Sequence, residues 1–213
     1  MAGKSEMLTA ADFRRMIAGA YSAFVEQHEA INRLNVFPVP DGDTGTNMLL
    51  TLGAVNRAVG ELDALGIGQV SRRAADSAIM GARGNSGVIL SQLFRGIARG
   101  LSGKVEATSS ELSKAFQYGI LYAYRAVARP VEGTILAAAK GIAKGARRAV
   151  RDDLRFADVL QEAVTAGKEE LLKTPDLLPV LKQAGVVDAG GQGLIVLLEG
   201  CLAGLEGRYT SPE

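Results

Sequence analysis

Apolar residues recur at every third or fourth position along most of the chain, a spacing that places them on one face of an α-helix. The first run follows Thr9, which forms a helix-capping pair with Asp12, and it continues through Phe13 and Phe24 to about Asn32. Later segments with the same spacing start near Thr46, Ser71, Val88, Thr108, Gly133, Phe156, Thr174 and Gly193. The pattern therefore predicts a chain of consecutive helices.

The connections between these segments are short, and no stretch shows a convincing strand pattern. We expect about eight or nine helices in a single domain over residues 1–213. Helices joined by short connections lie antiparallel, so the expected fold is an all-α, up-and-down bundle. Alternate connections of such a bundle lie at the same end, where several loops can form one site.

Composition limits the classes of function. The 213 residues are 47% hydrophobic and carry a net charge of +1, without the basic excess of a general nucleic-acid-binding protein. Tryptophan is absent and aromatic residues make up 5%, so base-stacking surfaces are not expected. The single cysteine, Cys201, excludes an internal disulfide and is interpreted as a core residue. No apolar run reaches about 18 residues, so we expect no transmembrane segment and a cytoplasmic location.

The segment Asn35–Met48 carries the most specific chemical signal. Pro38 and Pro40 stiffen the approach to two carboxylates, Asp41 and Asp43, which stand one residue apart just before a predicted helix. Two such acids repel each other unless a cation lies between them, and Mg²⁺ is commonly held by one or two carboxylates together with phosphate oxygens. The alternative interpretation is an Asx-rich turn that leads into a helix.

A second loop, residues 81–87, has the sequence Gly-Ala-Arg-Gly-Asn-Ser-Gly and leads into an apolar helix. A glycine-rich turn before a helix can present backbone N–H groups to phosphate. It does not match the Walker pattern, and its alternative interpretation is a flexible turn between helices. Arg83 in this loop is expected to pair with phosphate, to pair with an aspartate, or to be solvated.

Three other features of the sequence bear on a possible site. Two further glycine-containing corners, residues 130–134 and 185–191, also precede helices. His28 is the only histidine and lies on the apolar side of a predicted helix, so we interpret it as a packing residue rather than a ligand. A basic stripe on one helix is formed by Lys140, Lys144, Arg147, Arg148 and Arg151. We favour a solvated face for this stripe, and the alternative is docking to an acidic partner or an anionic surface.

The segment 35–48, together with residues 81–87, 130–134 and 187–191, resembles the nucleotide-binding domain of bacterial fatty acid kinase. That domain belongs to the wider family of the dihydroxyacetone kinase L subunit. The resemblance covers nearly the whole chain, residues 8–206, and the long segment with the two aspartates is its most specific part. It implies a closed barrel of eight antiparallel helices.

The resemblance also implies a site. ATP would bind at one end of the barrel, with two Mg²⁺ ions held by Asp41 and Asp43, which would serve as the catalytic acids. The dihydroxyacetone kinases use a third aspartate a few residues upstream, and the nearest matching position here is Asn35, a neutral oxygen ligand for the metal. The implied nucleotide contacts are Thr44, Asn47, Asn85, Ser86, Gly87, Gly133, Thr134, Asp188 and Gly190. Ser86 and its neighbours would hold the phosphates, and the last four would border the adenosine.

The activity implied by the resemblance is transfer of phosphate to the carboxylate of a fatty acid that a DegV-type carrier protein presents, giving an acyl phosphate for phospholipid synthesis. The chain would be the N-terminal part of a longer kinase and would act with its remaining domains; association into a homodimer is kept open. Two alternatives are a dihydroxyacetone kinase L subunit acting with a triose-binding partner, and a non-catalytic nucleotide-binding module.

Overall fold

The computed structural model describes residues 6–62 and 66–208, and it consists mainly of consecutive helices. The eight long helices are α1 (Ala10–Leu34), α2 (Thr44–Gly60), α3 (Ile67–Gly81), α4 (Gly84–Gly100), α5 (Ser109–Ala126), α6 (Ile135–Arg151), α7 (Phe156–Leu172) and α10 (Ala189–Leu205). Two short helices, α8 (Thr174–Leu177) and α9 (Pro179–Ala184), lie between α7 and α10. Residues 1–5, 63–65 and 209–213 of the predicted 1–213 domain lie outside the described residues.

Two helices begin with the capping pattern that the sequence predicts. The Thr9 hydroxyl accepts the N–H of Asp12, and the Asp12 carboxylate accepts the N–H of Thr9 at 2.8 Å. Thr108 and Glu111 form the same reciprocal pair at the start of α5. These side chains satisfy N–H groups that a helix leaves without partners at its first turn.

The long helices form a closed ring. Each of the helices α1 to α7 packs against the next one in the chain, α10 packs against α7, and α10 also packs against α1. The apolar faces point inward and form one continuous core, in which Phe13, Phe24 and Phe156 are fully buried. The expected all-α barrel of about eight antiparallel helices is confirmed.

The predicted helix start at Ser71 is wrong. α3 begins four residues earlier, and Ser71 lies buried inside it with its hydroxyl donating to the carbonyl of Gly68. The first N–H groups of α3 are bonded to backbone carbonyls from a distant connection: Ile67 donates to Val105 and Gly68 donates to Lys104, both at 2.9 Å. This helix therefore needs no side-chain cap at its start.

The glycine-rich loop is shorter than predicted. Only Ala82 and Arg83 separate α3 from α4, and residues 84–87 form the first turn of α4. Two other starts differ from the prediction, with α6 beginning at Ile135 rather than Gly133 and α10 beginning at Ala189 rather than Gly193. The chain also contains two strands that were not expected, β1 (Met7–Leu8) and β2 (Ala107–Thr108), which pair antiparallel.

Candidate functional site

Four connections meet at one end of the barrel and enclose a cleft of about 720 Å³. They are the α1–α2 loop, the α3–α4 junction, the α5–α6 connection and the residues just before α10. Around the closed ring, these four connections join α1 to α2, α3 to α4, α5 to α6, and α7 to α10. By this ring order, the α1–α2 and α5–α6 connections lie across the cleft from each other. Enclosed volumes of this size are typical of small-molecule sites.

Most of the residues that the sequence singles out line this cleft. Those that line it are Asn35, Asp41, Asp43, Thr44, Asn47, Asn85, Ser86, Thr134, Asp188 and Gly190. Gly87 and Gly133 do not line it. Gly87 is buried under Thr51, where an added Cβ would lie 2.6 Å from the hydroxyl oxygen, and Gly133 (φ 82°) packs against Leu177 and Leu178. These two glycines permit close packing behind the cleft wall.

Asn35 braces the α1–α2 loop from within. The residue is 7% exposed, and its amide oxygen accepts the backbone N–H groups of Asp43 and Thr44 at 3.2 Å and the Thr44 hydroxyl at 2.8 Å. Its amide nitrogen donates to the carbonyl of Val39 at 3.1 Å. The amide oxygen therefore already has three donors, and the role of Asn35 in this structure is to shape the loop. That it is a metal ligand stays a prediction.

Asp41 and Asp43 are exposed to solvent on the cleft side of the same loop, where Asp43 directly precedes α2. Within residues 6–62 and 66–208, no group of three or more His, Cys, Asp or Glu side chains is placed to hold a metal ion. A divalent cation at the acid pair would therefore complete its coordination with ligand or water oxygens, as Mg²⁺ commonly does. Hard carboxylate oxygens on a loop that faces a cleft fit that ion.

The acid loop and the start of α4 are packed directly together. The side chain of Asn47 lies against Gly84, whose φ of 60° and missing Cβ allow this contact. The Ser86 hydroxyl donates to the carbonyl of Thr44 at 3.4 Å. The structure thus brings the loop with the two aspartates and the Gly-Asn-Ser-Gly segment to the same end of the molecule.

Four helices begin at the cleft. These are α2, α4, α6 and α10, whose first residues or caps line it. The N-terminus of a helix carries a partial positive charge and free N–H groups, which favour anions. At the start of α4 the N-cap residue gives no side-chain cap, whereas the N–H of Ile135 at the start of α6 bonds to the carboxylate of Asp188. The cleft therefore combines an exposed acid pair with helix ends that favour anions.

Asp188 is a buried acid at the edge of the cleft. Its side chain caps α10 by accepting the N–H of Gly191 at 2.8 Å, and only 5% of the residue is exposed. Burial raises the pKa of this carboxyl to about 6, although hydrogen bonds from the backbone N–H groups of Gly191, Gly190 and Ile135 partly offset the effect. Because that value lies below 7, the carboxyl is mainly ionised at neutral pH.

Part of the cleft wall was not anticipated from the sequence. Apolar side chains cover much of it, among them Phe37, Val39, Val88, Val127 and Val131. Arg129, which directly precedes the corner at residues 130–134, also lines it. In the sequence, the one sign that these apolar residues and Arg129 belong to the cleft is their position next to the motifs. Their side chains come together only when the ring closes.

The remaining candidates lie away from the cleft. His28 is half-buried on α1, and its Nδ1 atom lies 3.0 Å from the carbonyl oxygen of Phe24, in agreement with a packing role. The basic stripe on α6 is exposed, and two of its members form ion pairs, Lys140 with Glu132 and Arg148 with Glu162. In the described part of the chain, no helix is long and apolar enough to cross a membrane.

Comparison with known proteins identifies related sequences. The model of the DAK2 domain family matches residues 38–203. Protein YloV of Bacillus subtilis (strain 168) is 45% identical over 201 residues, which cover 94% of this chain and 36% of that protein. An uncharacterized protein of Staphylococcus epidermidis is 44% identical over the same share of each chain. The chain thus spans about a third of the length of these relatives.

Solved structures share the fold. The dihydroxyacetone kinase from C. freundii, in complex with AMP-PNP and Mg²⁺, superposes with a TM-score of 0.67 over 94% of this chain and 35% of that one. The native form of the same enzyme gives a TM-score of 0.62. The sequence identities are 17% and 18%, so this likeness concerns the helical fold alone.

Proposed function

The chain belongs to the DAK2 domain family, which is related to dihydroxyacetone kinase, and from this premise we propose that it is an ATP- and Mg²⁺-binding kinase domain. In this proposal, the γ-phosphate passes to the carboxylate of a fatty acid, giving an acyl phosphate. One observation carries the proposal: Asp41, Asp43 and Ser86 line one cleft at which four helices begin.

The chemistry suits the residues present. A fatty carboxylate is ionised at neutral pH, so its oxygen can attack the γ-phosphorus without a general base, while the bond to the bridging oxygen breaks and ADP leaves with the electron pair. Such transfers depend mainly on positioning and charge neutralisation. Mg²⁺, one ion or two, would neutralise phosphate charge when bound. The chain's single histidine lies outside the cleft, which fits a reaction that needs no imidazole base.

Each side of the cleft has a proposed role. Asp41 and Asp43 would hold the metal, and Asn35 would keep their loop in shape. Thr44, Asn47, Asn85 and Ser86 face the same space and would contact the phosphates, with Gly87 allowing the first turn of α4 to approach. Thr134, Asp188 and Gly190 would border the adenosine, with Gly133 packed behind them.

The acceptor proposal is supported by the apolar part of the wall. Phe37, Val39, Val88, Val127 and Val131 offer an alkyl chain a surface that a small polyol such as a triose would not use. We propose that a DegV-type carrier protein presents the fatty acid and that the remaining domains of a longer kinase assist. The fact that the chain spans 36% of its relatives is compatible with this arrangement.

Binding of Mg·ATP is the first test. Asp41→Ala and Asp43→Ala should abolish Mg²⁺-dependent binding of ATP in calorimetric titrations, while circular dichroism and the melting temperature stay unchanged. Asp76→Ala is the matched control, because Asp76 is an exposed acid on α3 outside the cleft. Unchanged affinity in both aspartate variants would contradict the proposal.

Transfer assays separate the acceptors. The chain, and its longer relatives that carry the additional domains, would be incubated with labelled ATP and either a fatty-acid-loaded carrier or a triose-binding kinase subunit. Acyl phosphate supports the proposal, and triose phosphate supports the second candidate, a dihydroxyacetone kinase L subunit. Nucleotide binding without transfer to either acceptor by the longer proteins would indicate a non-catalytic module.

A further inference from the structure

Arg129 is the one cationic side chain that lines the cleft among the residues described in the structure. It lies in the α5–α6 connection, between the end of α5 and Pro130, and it is exposed. Arg83 does not line the cleft, although it lies next to the Gly-Asn-Ser-Gly segment. Arg129 therefore supplies the positive side-chain charge of this cleft among the described residues.

Arg129 is not committed to an acid of the barrel. Within the described ranges 6–62 and 66–208, it forms no ion pair. The nearest acid along the chain, Glu132, is bonded to Lys140 at 2.9 Å. An exposed guanidinium at a cleft wall without such a partner is available for an anionic ligand.

The position of Arg129 relative to the acid pair indicates which kind of anion it would bind. The α1–α2 loop with Asp41 and Asp43 and the α5–α6 connection with Arg129 lie on opposite sides of the ring, and both line the same cleft. The two carboxylates offset the charge of any cation that they hold, so their side of the cleft supplies little net positive charge. The opposite side supplies a guanidinium, whose planar fork matches phosphate oxygens.

We propose that Arg129 binds the phosphate chain of the nucleotide from the side opposite Asp41 and Asp43. This inference rests on the proposed function, since it requires that the cleft take up a nucleotide. A phosphate chain would then be held between metal-bound acids on one side and a fixed positive charge on the other. The start of α4 would contribute backbone N–H groups between them.

The test measures affinities of purified chains for adenosine and for Mg·ATP, with adenosine measured by competition against labelled ATP. We expect Arg129→Ala to weaken binding of Mg·ATP by about tenfold or more and to leave adenosine binding unchanged. Arg129→Lys, which keeps the charge but loses the fork, should give an intermediate loss. Arg125→Ala is the matched control, because Arg125 is an exposed cation one turn earlier that does not line the cleft.

The outcomes are distinct. Equal Mg·ATP affinity in wild type and Arg129→Ala overturns this inference and leaves the proposed function standing. An equal loss for adenosine and ATP, or the same loss in Arg125→Ala, also overturns it, because neither result depends on a contact between Arg129 and phosphate. A wild-type chain that binds no Mg·ATP overturns the proposed function and this inference with it. Melting temperatures confirm that each variant is folded.

Discussion

At the scale of single residues, Asn35 shows how a neutral side chain can shape a loop that carries charge. Its amide oxygen gathers the N–H groups of Asp43 and Thr44, and its amide nitrogen holds the carbonyl of Val39. Both halves of the amide are used, so the side chain has to be both donor and acceptor. An aspartate has the same shape but lacks the donor.

Asn35→Asp should therefore destabilise the chain. The new carboxylate would lie beside the Val39 carbonyl oxygen and would have no hydrogen to donate to it, at a cost of about 1–3 kcal/mol in the free energy of unfolding. Urea denaturation without divalent cations measures the change. The same substitution at Asn85, which is exposed at the start of α4, should shift stability by less than about 0.5 kcal/mol. Equal effects at the two positions would contradict the bracing role.

The buried carboxyl of Asp188 makes stability depend on pH. Its pKa is raised from 3.8 to about 6, so between these values the folded chain binds the proton more tightly than the unfolded chain. The free energy of unfolding therefore falls as pH rises through this window, and the contribution present below pH 3.8 is lost above pH 6.

Asp188→Asn removes this titration and keeps an acceptor for the N–H of Gly191. Relative to the wild type, the variant should gain up to about 3 kcal/mol in the free energy of unfolding between pH 4 and pH 7. Denaturation curves at several pH values measure the difference. Asp76→Asn, at an exposed site, should show no comparable trend, and a pH-independent difference for Asp188→Asn would contradict the interpretation.

At the scale of elements, the contact between α1 and α10 depends on glycine. A Cβ added to Gly200 would lie 2.5 Å from the Cα of Ala20, and one added to Gly204 would lie 2.8 Å from the carbonyl carbon of Arg15. Both neighbours are backbone atoms, which cannot move aside as the end of a long side chain can. The close approach of these two helices closes the ring.

Gly200→Ala should therefore cost at least about 1–3 kcal/mol of stability, because α1 and α10 would have to separate. Gly60→Ala is the control: Gly60 is the last residue of α2, and an added Cβ there would meet no atom within 4 Å. That substitution should be neutral or slightly stabilising, since alanine favours helix more than glycine. Thermal unfolding compares the two variants. An unchanged melting temperature for Gly200→Ala would contradict the close packing of α1 and α10.

Helix starts that are marked by neighbouring residues can be predicted from the sequence. The capping pairs at Thr9 and Thr108 lie within one turn of the chain, and the structure confirms both predictions. The start of α3 is not predictable in this way. Its first N–H groups bond to the carbonyls of Val105 and Lys104, which lie in the connection after α4, far along the chain. Strands of two residues are likewise too short to show a period.

The glycines at the start of α4 differ from the sequence prediction for a related reason. Glycine usually indicates a turn, but Gly87 lies inside a helix, where the Thr51 side chain packs against it and leaves no room for a Cβ. Local propensity alone cannot distinguish a glycine that bends the chain from one that admits a neighbour. At the cleft, the motif residues were predicted, whereas Arg129 and the apolar wall became apparent only from the arrangement of the ring.

At the scale of the whole molecule, Cys201 reports on the integrity of the barrel. It is 4% exposed on α10, and burial raises the pKa of its thiol to about 12. The thiolate is the reactive form, so the folded chain should react very slowly with a thiol reagent. We expect the rate to rise with urea in parallel with global unfolding measured by circular dichroism. Rapid reaction of the native chain would contradict a closed ring.

Ring closure also has a consequence for how the chain is made. The first long helix lies against the last one, so during translation α1 leaves the ribosome well before its neighbour α10 has been synthesised. Until then, the apolar face of α1 lacks its contact with α10 and is covered in part by α2 and α3. The nascent barrel therefore remains incomplete until α10 emerges, so its folding cannot be completed helix by helix.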